Sequence, residues 1–398
     1  MAPPGSLRIG VDEIQEDRFS RFRLIPWWDQ GKLRSARVLV IGAGALGNEI
    51  LKNLALLGCE RIVIVDLDRI EESNLSRTIL FNAQDVGSFK AETAARNFKK
   101  LAPQARVRPL AANVVQDCGL GLFAWADVIL AGLDNREARL WINRCAWKMN
   151  RTWIDGAIEG INGVARVFTA GVAPCYECTL GETDWKLLEQ RMSCNLLLRE
   201  ANTEGKIATT PTISSVIAGI EVQEAVKLLH GLPTLAGSGF VFEGLNHTSY
   251  KVGYTANSDC MSHFTFESVT PLPQESCRLT LEELRQIGLK DLHAADGIVE
   301  FSRDIIHQLD CPACGAKEER FVPVGSLRYD EGRCPADGTM RAVKTIHSYS
   351  GIESYGSRTL DQLGLPLFDV FSVRSIDAEK AYLIAGDKAA VLGEDLAD

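Results

Sequence analysis

The chain has 398 residues, of which 46% are hydrophobic and 24% are charged, and its formal net charge is −9 at pH 7. This length allows two domains, and the negative charge disfavours a protein dedicated to binding nucleic acid. Because the sequence lacks an apolar run long enough to cross a bilayer and lacks a signal-peptide pattern near its first residues, we expect a cytoplasmic protein without membrane contacts.

The first strongly patterned segment is "VLVIGAGALGNEI", residues 38–50. Its apolar β-branched start predicts a buried strand, and the residues after the glycines predict a helix. Between them, Gly42, Gly44 and Gly47 have G-x-G-x-x-G spacing. This spacing permits a tight turn, a close approach of backbone to phosphate, and close packing of helix on strand. The segment therefore predicts a nucleotide-binding loop with phosphate at the helix N-terminus.

Strand and helix patterns then alternate to about residue 156. The second strand, "RIVIVDLD", ends in Asp66, where a carboxylate can bind ribose hydroxyls. Further strands are predicted in "ARVRPLAAN", "ADVILAGLD" and "RTWIDG", and helices in "FKAETAARNFKKL" and "REARLWINRCAWKM". This alternation predicts an α/β fold with a largely parallel sheet covered by helices on both faces.

The second half of the chain is less regular. Residues 181–210 are polar with little periodicity, and a helix in "TISSVIAGIEVQEAVKLLHG" is expected to end at Gly231. Residues 265–275 are typical of a linker, after which Thr280 and Glu283 form a capping box at the start of a new helix. We therefore expect an N-terminal helical arm over 1–35, an α/β unit over 36–268, and a small C-terminal α+β unit over 269–398.

The predicted strand ends are followed by more charged and polar side chains than the nucleotide site of a redox enzyme requires. Asn74 and Arg77 follow the second strand, Lys90 begins the next helix pattern, and Asp134 and Asn135 follow "ILAGL". Adenylyl transfer needs such groups, because the attacking carboxylate, the phosphorus centre and the departing pyrophosphate are all anionic. The sequence therefore predicts ATP with Mg²⁺. An NAD-dependent oxidoreductase is the alternative that the glycine loop alone would favour.

Taken in order, "RFSRF", "VLVIGAGALG", "VDLDRIEESNLSR", "VGSFKAE", "GLDN" and "CYEC" resemble the ThiF/MoeB/ubiquitin-activating (E1-like) adenylyltransferase superfamily. The resemblance covers residues 18–263 and implies a Rossmann-like adenylation domain with a crossover loop at about 181–210. It also implies a homodimer in which Arg21 reaches the ATP site of the partner. Thr78 stands where the family usually has Gln, for which we expect altered packing rather than lost activity.

The resemblance further implies a role for each candidate site residue. It implies that the three glycines lie against the nucleotide, that Asp66 binds ribose and that Asp134 holds Mg²⁺. The residues that it places around the phosphates are Asn74, Arg77 and Lys90, with Asn135 beside them.

The eleven cysteines, without a secretory signal, predict metal ligands and a reactive thiol rather than disulfides. Cys175 and Cys178 have zinc-knuckle spacing and would fill half of a tetrahedral site. Cys260 and His263 would complete a Cys₃His zinc site where the family usually has a second Cys-x-x-Cys. The alternative is that His263 is incidental and Cys260 is an ordinary buried thiol. Three further thiols are predicted to be packing residues, namely Cys59, Cys118 and Cys145.

The C-terminal unit contains two similar pentapeptides, "CPACG" and "CPADG", which are typical of a zinc ribbon. Cys311, Cys314 and Cys334 would supply three zinc ligands, and the fourth would be Asp337 or His347. Equally, the ribbon fold could persist without its metal.

Cys194 lies in a polar stretch close to arginines, and nearby cations lower the pKa of a thiol. In ubiquitin-activating relatives a catalytic cysteine occupies the crossover loop, so the resemblance implies a thioester on Cys194. The leading prediction is an enzyme that adenylates the C-terminal glycine of a ubiquitin-like protein, captures it on Cys194 and passes it to a conjugating enzyme. The alternatives are a ThiF/MoeB-type adenylyltransferase acting on a sulfur-carrier protein and a non-catalytic dimer partner.

Overall fold

The computed structural model describes residues 16–191 and 208–398. Within these ranges the chain forms two β-sheets. The strands of the first sheet are β1 (Arg37–Ile41), β2 (Arg61–Val65), β3 (Arg106–Leu110), β4 (Val128–Gly132), β5 (Thr152–Glu159), β6 (Asn162–Thr169), β7 (Ser238–Glu243) and β8 (Thr248–Gly253). Those of the second sheet are β9 (Val269–Leu272), β10 (Ile298–Asp310), β11 (Lys317–Pro323), β12 (Ala342–Tyr349), β13 (Val370–Arg374) and β14 (Glu379–Ile384).

Helices accompany both sheets, most of them the first. The described α-helices are α1 (Gln30–Ser35), α2 (Ala45–Leu57), α3 (Lys90–Leu101), α4 (Leu120–Trp125), α5 (Arg136–Lys148), α6 (Glu182–Arg191), α7 (Pro211–His230), α8 (Leu281–Leu292) and α9 (Lys388–Leu392). None of these helices combines the length and apolarity needed to cross a membrane.

The first sheet has the strand order β3-β2-β1-β4-β5-β6-β7-β8. Strands β1 to β5 pair in parallel, and β6 to β8 are added in antiparallel pairs. The predicted α/β fold with a largely parallel sheet is therefore confirmed. The chain leaves β1 toward β2 and β3 and returns on the other side through β4, so the strand order reverses between β1 and β4. Ligands of such sheets bind at this reversal, beyond the carboxyl ends of the strands.

Both faces of the first sheet are buried at its central strands, which explains the continuous apolar runs of β1, β2 and β4. Val38 and Val40 of β1 face a core shared with α2, α3 and α7, whereas Leu39 and Ile41 face a core shared with α4 and α5. The second of these cores also contains Phe368 from the C-terminal unit. The parts of the chain that carry the two sheets are thus packed together around α4, where Gly121 N–H donates to Phe368 O at 2.9 Å.

Local signals placed two helix ends correctly, and two expectations were wrong. α7 ends at Gly231, which has φ 72°, and Thr280 and Glu283 form the capping box of α8. However, the stretch expected to lack periodicity contains α6, and the expected linker contains β9. β9 pairs in parallel with β14, more than a hundred residues later. No local pattern reveals such a distant partner.

Candidate active site

A cavity of about 740 Å³ opens beyond the carboxyl ends of β1, β2 and β4, where the strand order reverses. The glycine loop forms one side of it. Gly42 has φ +90°, and a Cβ there would lie 2.4 Å from Gly132 O, while a Cβ on Gly47 would lie 1.9 Å from Gly42 O. Gly44 precedes α2 and borders the cavity, and a Cβ on it would meet no other atom within 4 Å. Two glycines therefore permit close packing, and the third leaves the start of α2 open to a ligand.

Asp66 lies against the glycine loop at the edge of the cavity. Its Oδ2 accepts the N–H of Ala43 at 2.7 Å, and its Oδ1 accepts the N–H of Asp68 at 2.8 Å. Burial raises the pKa of Asp66, and the charge of Lys90 together with these two N–H groups opposes the rise. Asp66 therefore braces the glycine loop as well as facing the cavity.

The two predicted phosphate-binding cations border the same cavity. Lys90 Nζ lies 2.8 Å from Asp68 Oδ2; the Lys90 side chain is 12% exposed and that of Asp68 is 55% exposed. Arg77 Nη1 donates to Ser73 O at 2.8 Å. The structure thus brings Arg77 and Lys90, which are separated in sequence, to one side of an open space.

The remaining polar residues of the predicted set also line the cavity. Asn74 is buried, and its Oδ1 accepts the N–H of Glu71 at 3.0 Å. Asn135 caps α5 by accepting the N–H of Ala138 at 2.7 Å, and its neighbour Asp134 is exposed. Both asparagines therefore hold local turns, whereas Asp134 presents a carboxylate to solvent. Their roles toward a ligand stay predictions.

Thr78 is buried at the cavity, and its hydroxyl donates to Asn74 O at 2.9 Å. It thereby fastens the turn that carries Asn74 and Arg77. The effect of Thr78 in place of the usual Gln stays a prediction.

Arg21 is not among the residues that line the cavity of its own chain. Its neighbour Arg18 donates to Ala55 O at 2.8 Å and to Leu101 O at 2.7 Å, at the carboxyl ends of α2 and α3. The cavity lies at the opposite, amino-terminal end of α2, which has 13 residues and is therefore about 20 Å long. The structure does not bring Arg21 together with the other predicted site residues.

A buried ionic network beside the cavity was missed by the sequence analysis. Arg139 lines the cavity, and its Nε donates to Asp155 Oδ1 at 2.7 Å. Arg166 Nε donates to Asp155 Oδ2 at 3.0 Å, and Asp155 is fully buried within β5, beside Ala131 near the carboxyl end of β4. The acid in "RTWIDG" was an available signal, because the candidate acids Asp66 and Asp134 also lie near the carboxyl ends of parallel strands. The network fixes a guanidinium at the edge of the cavity.

Glu221 of α7 lies next to this network and is fully buried. A Cβ on Gly156 would lie 2.3 Å from Glu221 Oε2, and neither carboxyl oxygen has a hydrogen-bond partner among the described residues. Burial, followed by the charge of Asp155, raises the pKa of Glu221 well above its ordinary 4.5. Burial without a hydrogen-bond partner therefore disfavours the charged form of this carboxyl. The helical pattern of α7 gave no sign of it.

The first cysteine cluster brings four predicted zinc ligands together. Cys175 Sγ lies 3.7 Å from Cys178 Sγ and 3.5 Å from Cys260 Sγ, and Cys178 Sγ lies 3.4 Å from His263 Nε2. Two thiolates 2.3 Å from one tetrahedral ion would be about 3.8 Å apart, so this spacing fits zinc. Trp147 stacks on His263 with ring centroids 4.4 Å apart, which fixes the imidazole.

The second cluster brings Asp337, and not His347, together with the three predicted cysteine ligands. Cys311 Sγ lies 3.4 Å from Asp337 Oδ2, Cys314 Sγ lies 3.6 Å from Cys334 Sγ, and the four ligand atoms lie within 4.8 Å of one another. His347 is outside this group, on β12 and five residues beyond the strand's first residue, or about 17 Å along it.

The two pentapeptides of the second cluster form matching turns. Gly315 N–H donates to Cys311 O, and Gly338 N–H donates to Cys334 O. Asp337 therefore occupies the position in its turn that Cys314 occupies in the other. A carboxylate in that position fits a Cys₃Asp zinc site.

Of the described thiols outside the two clusters, three are buried and Cys277 is partly exposed. Burial raises the pKa of Cys59, Cys118 and Cys145 to about 12, which suits packing residues rather than nucleophiles. Cys194 lies outside the described residues. The chain is described again at residue 208, and Thr209 lines the cavity with a buried hydroxyl that has no partner in the described part of the chain.

The chain is similar to known proteins both in sequence and in fold. The ThiF family matches residues 16–262. The SAMP-activating enzyme E1 of Haloferax volcanii is 30% identical over 287 residues, which cover 69% of this chain and all of that protein. The Nedd8-activating enzyme E1 catalytic subunit of Drosophila melanogaster is 41% identical over 157 residues, or 36% of this chain and 35% of that protein. The chain thus spans about a third of the length of the NEDD8-activating subunits that it matches.

Solved structures with a similar fold include E. coli MccB with ATP. That comparison has a TM-score of 0.51 at 22% identity and covers 63% of this chain and 75% of the MccB chain. At this identity the similarity establishes the fold alone.

Proposed function

This chain belongs to the ThiF family, and from that premise we propose that it uses ATP to activate the C-terminal carboxylate of a ubiquitin-like protein. The observation that carries the proposal is the meeting of Arg77, Lys90 and Asp134 around the open glycine-loop cavity. Relatives named as NEDD8- and SAMP-activating enzymes support the substrate class. We assign the reaction to the unit over 36–268 and a supporting role to residues 269–398.

The chemistry follows from the charges at the cavity. The carboxylate oxygen attacks the α-phosphorus of ATP, the bond from that phosphorus to the bridging oxygen breaks, and its electron pair leaves with pyrophosphate. A carboxylate is already a nucleophile at neutral pH, so no general base is needed. Arg77, Lys90 and the start of α2 would stabilise the charge that spreads over the phosphates. Mg²⁺ held by Asp134 would supply further positive charge.

Exchange of labelled pyrophosphate into ATP tests this step. Exchange should depend on Mg²⁺ and on a ubiquitin-like protein that ends in glycine, chosen from those encoded in the same genome. Lys90→Ala should slow exchange by about 10²–10³-fold, because one preorganised charge contact contributes roughly 3–4 kcal/mol to the transition state. The matched control is Lys99→Ala on the exposed end of α3, which should exchange normally. Normal exchange in Lys90→Ala would contradict the assignment.

The position of Arg21 supports a homodimer with shared sites. Arg18, in the same segment as Arg21, bonds to the far end of α2, about one helix length from the cavity, so we expect Arg21 to act at an ATP site only in another copy of the chain. Mixing inactive Arg21→Ala and Lys90→Ala proteins should therefore restore activity, because half of the sites in mixed dimers would be intact. Failure to recover activity after proven subunit exchange would remove Arg21 from the site.

We assign zinc to both cysteine clusters, with a structural role. Each cluster offers four ligands and leaves no open position for substrate, as in structural zinc sites. Acid-denatured protein should release two zinc ions per chain. Release of one would leave only one cluster loaded, and folded, active protein without zinc would overturn both assignments.

Thioester formation on Cys194 is the finer part of the proposal. The segment that contains Cys194 leads to Thr209 at the cavity, and it follows α6, whose Asp184 pairs with Arg136 beside the cavity at 2.6 Å. The thiolate would attack the acyl carbon and release AMP. Cys194→Ala should retain pyrophosphate exchange but lose the reductant-sensitive covalent adduct with the ubiquitin-like protein. A wild-type enzyme that exchanges pyrophosphate without forming any adduct would favour adenylation of a sulfur-carrier protein instead.

A further inference from the structure

One wall of the cavity is built by an irregular segment after β3. This wall segment, residues 112–118, contributes its first five residues to the cavity lining. Just before it, Leu110 O accepts the N–H of Asp66 at 3.1 Å, so the wall segment lies on the Asp66 side of the cavity. It contains no helix or strand. Bonds within the segment close a turn, because the N–H of Asn113 donates to Asp117 Oδ2 at 2.7 Å and the N–H of Asp117 donates to Asn113 O at 2.8 Å. Contacts from outside the segment hold this turn in place against the cavity.

The main outside contact comes from Arg303 of β10, in the second unit. Arg303 Nη1 donates to Val115 O at 2.8 Å and to Gln116 O at 2.9 Å, and Nη2 donates to Cys118 O at 2.7 Å. The arginine is only 7% exposed. One planar guanidinium thus holds three carbonyls of the wall segment in a fixed arrangement.

The guanidinium is itself fixed by its surroundings. Asp369 Oδ2 lies 3.9 Å from Arg303 Nη2, and the Arg303 guanidinium carbon lies 4.9 Å from the centre of the Trp141 ring. Asp369 is fully buried, and its Oδ1 accepts the N–H of Leu120 at 2.7 Å. Arg303 therefore holds the wall segment at a fixed position relative to the second unit.

A second contact joins the same two parts of the chain. Gln116 lines the cavity, and its Nε2 donates to Gly325 O at 2.6 Å. The second unit thus contacts both the backbone and a side chain of the wall segment. In contrast, Arg108 also links the units, through bonds of 2.9 Å to Ala390 O and Val391 O, but it does not contact the wall segment.

We propose that Arg303 is a positioning residue for the nucleotide, and that the second unit sets the affinity of the cavity for ATP. The proposal rests on the proposed function, because it takes ATP as the ligand. Loosening the wall segment would reduce the fraction of molecules whose cavity can bind ATP. The apparent Kd for ATP would rise in inverse proportion to this fraction. The side chains proposed to stabilise the charge on the phosphates are those of Arg77 and Lys90, which lie outside the wall segment. Loss of Arg303 should therefore raise KM for ATP and leave kcat nearly unchanged.

The test measures binding of MgATP to the full-length chain by calorimetry, without any acceptor protein, and then KM and kcat in pyrophosphate exchange. Arg303→Gln should raise Kd and KM by about tenfold, while kcat changes less than about twofold. Arg303→Lys keeps the charge beside Asp369 but loses the fork geometry, so it should fold and show an intermediate Kd. Arg108→Gln is the matched control and should lower the unfolding temperature without changing Kd.

Normal ATP affinity in folded Arg303→Gln would overturn the positioning role, and so would equal weakening in Arg108→Gln. If Arg303→Gln fails to fold, a Kd of Arg303→Lys equal to that of the wild type would overturn it. A wild-type chain that does not bind MgATP would instead overturn the proposed function on which the role rests.

Discussion

Charged side chains are used differently around the cavity and at the junction of the two units. At the cavity, Lys90 pairs with a carboxylate that is 55% exposed, beside open space. At the junction, Arg303 and Asp369 are buried, and their hydrogen bonds go to backbone and side-chain groups of the protein. Buried charges that are satisfied in this way hold a shape, whereas charges beside an open cavity remain available to a ligand. The difference separates residues expected to govern stability from residues expected to govern the reaction.

The largest expected effect tests the junction. Asp369→Ala should lower the free energy of unfolding by about 3–5 kcal/mol, because it leaves a buried arginine and a buried N–H without their carboxylate. Asp369→Asn retains an acceptor for the N–H of Leu120 and should cost less. Urea unfolding of the three proteins measures both effects. A loss below about 1 kcal/mol for Asp369→Ala, the range of an exposed ion pair, would erase the contrast between the two regions.

The second prediction tests the cavity side of the comparison. Arg77→Ala should lower kcat/KM for pyrophosphate exchange by an amount corresponding to roughly 3 kcal/mol, with a change in unfolding free energy of about 0.5 kcal/mol or less. Arg34→Ala, which removes an exposed partner of Glu60, is the control and should alter neither quantity substantially. The comparison would be wrong if Arg77→Ala destabilised the fold as strongly as Asp369→Ala.

Glu221 differs from the buried charges at the junction, because its carboxyl oxygens have no hydrogen-bond partner among the described residues. Its pKa is raised in the folded state, so the folded chain binds a proton that the unfolded chain releases above pH 4.5. Wild-type stability should therefore be highest, relative to Glu221→Gln, below pH 4.5. As pH rises above this value, the wild type should lose stability relative to the variant by at most about 1.4 kcal/mol per pH unit. Parallel stability curves of the two proteins from pH 5 to 8 would mean that Glu221 is ionised in the fold.

The smallest expected difference compares the two cysteine clusters. The first joins Cys175 and Cys260, 85 residues apart, whereas the second joins Cys314 and Cys334, 20 residues apart. Closing the longer loop costs the unfolded chain more entropy, so loss of the first cluster should destabilise the fold by about 1.3 kcal/mol more. Cys260→Ser and Cys334→Ser, compared by urea unfolding with zinc content measured, test this. Equal losses would show that local strand pairing outweighs loop length.

The cavity was largely predictable from the sequence, because its parts are local. Glycine spacing and the acid after the second strand each lie within a short window, and the parallel sheet brings such windows to one edge. The junction was not predictable in this way. Arg303 is separated by 185 residues in sequence from Cys118 of the wall segment, which it contacts. β9 and β14, which pair in the second sheet, are more than a hundred residues apart. Asp369 lies in no recognisable motif, and its importance depends entirely on what packs around it.

The contact of Arg108 with α9 has a consequence for the growing chain. β3 is an edge strand of the first sheet, and its Arg108 bonds to Ala390 O, 282 residues later. At synthesis rates of about 5–20 residues per second, β3 would lack this contact for roughly 15–55 s after it leaves the ribosome. An uncovered edge strand is a template for pairing with other chains. The nascent first sheet is therefore expected to need chaperone protection along β3 until the end of α9 has emerged.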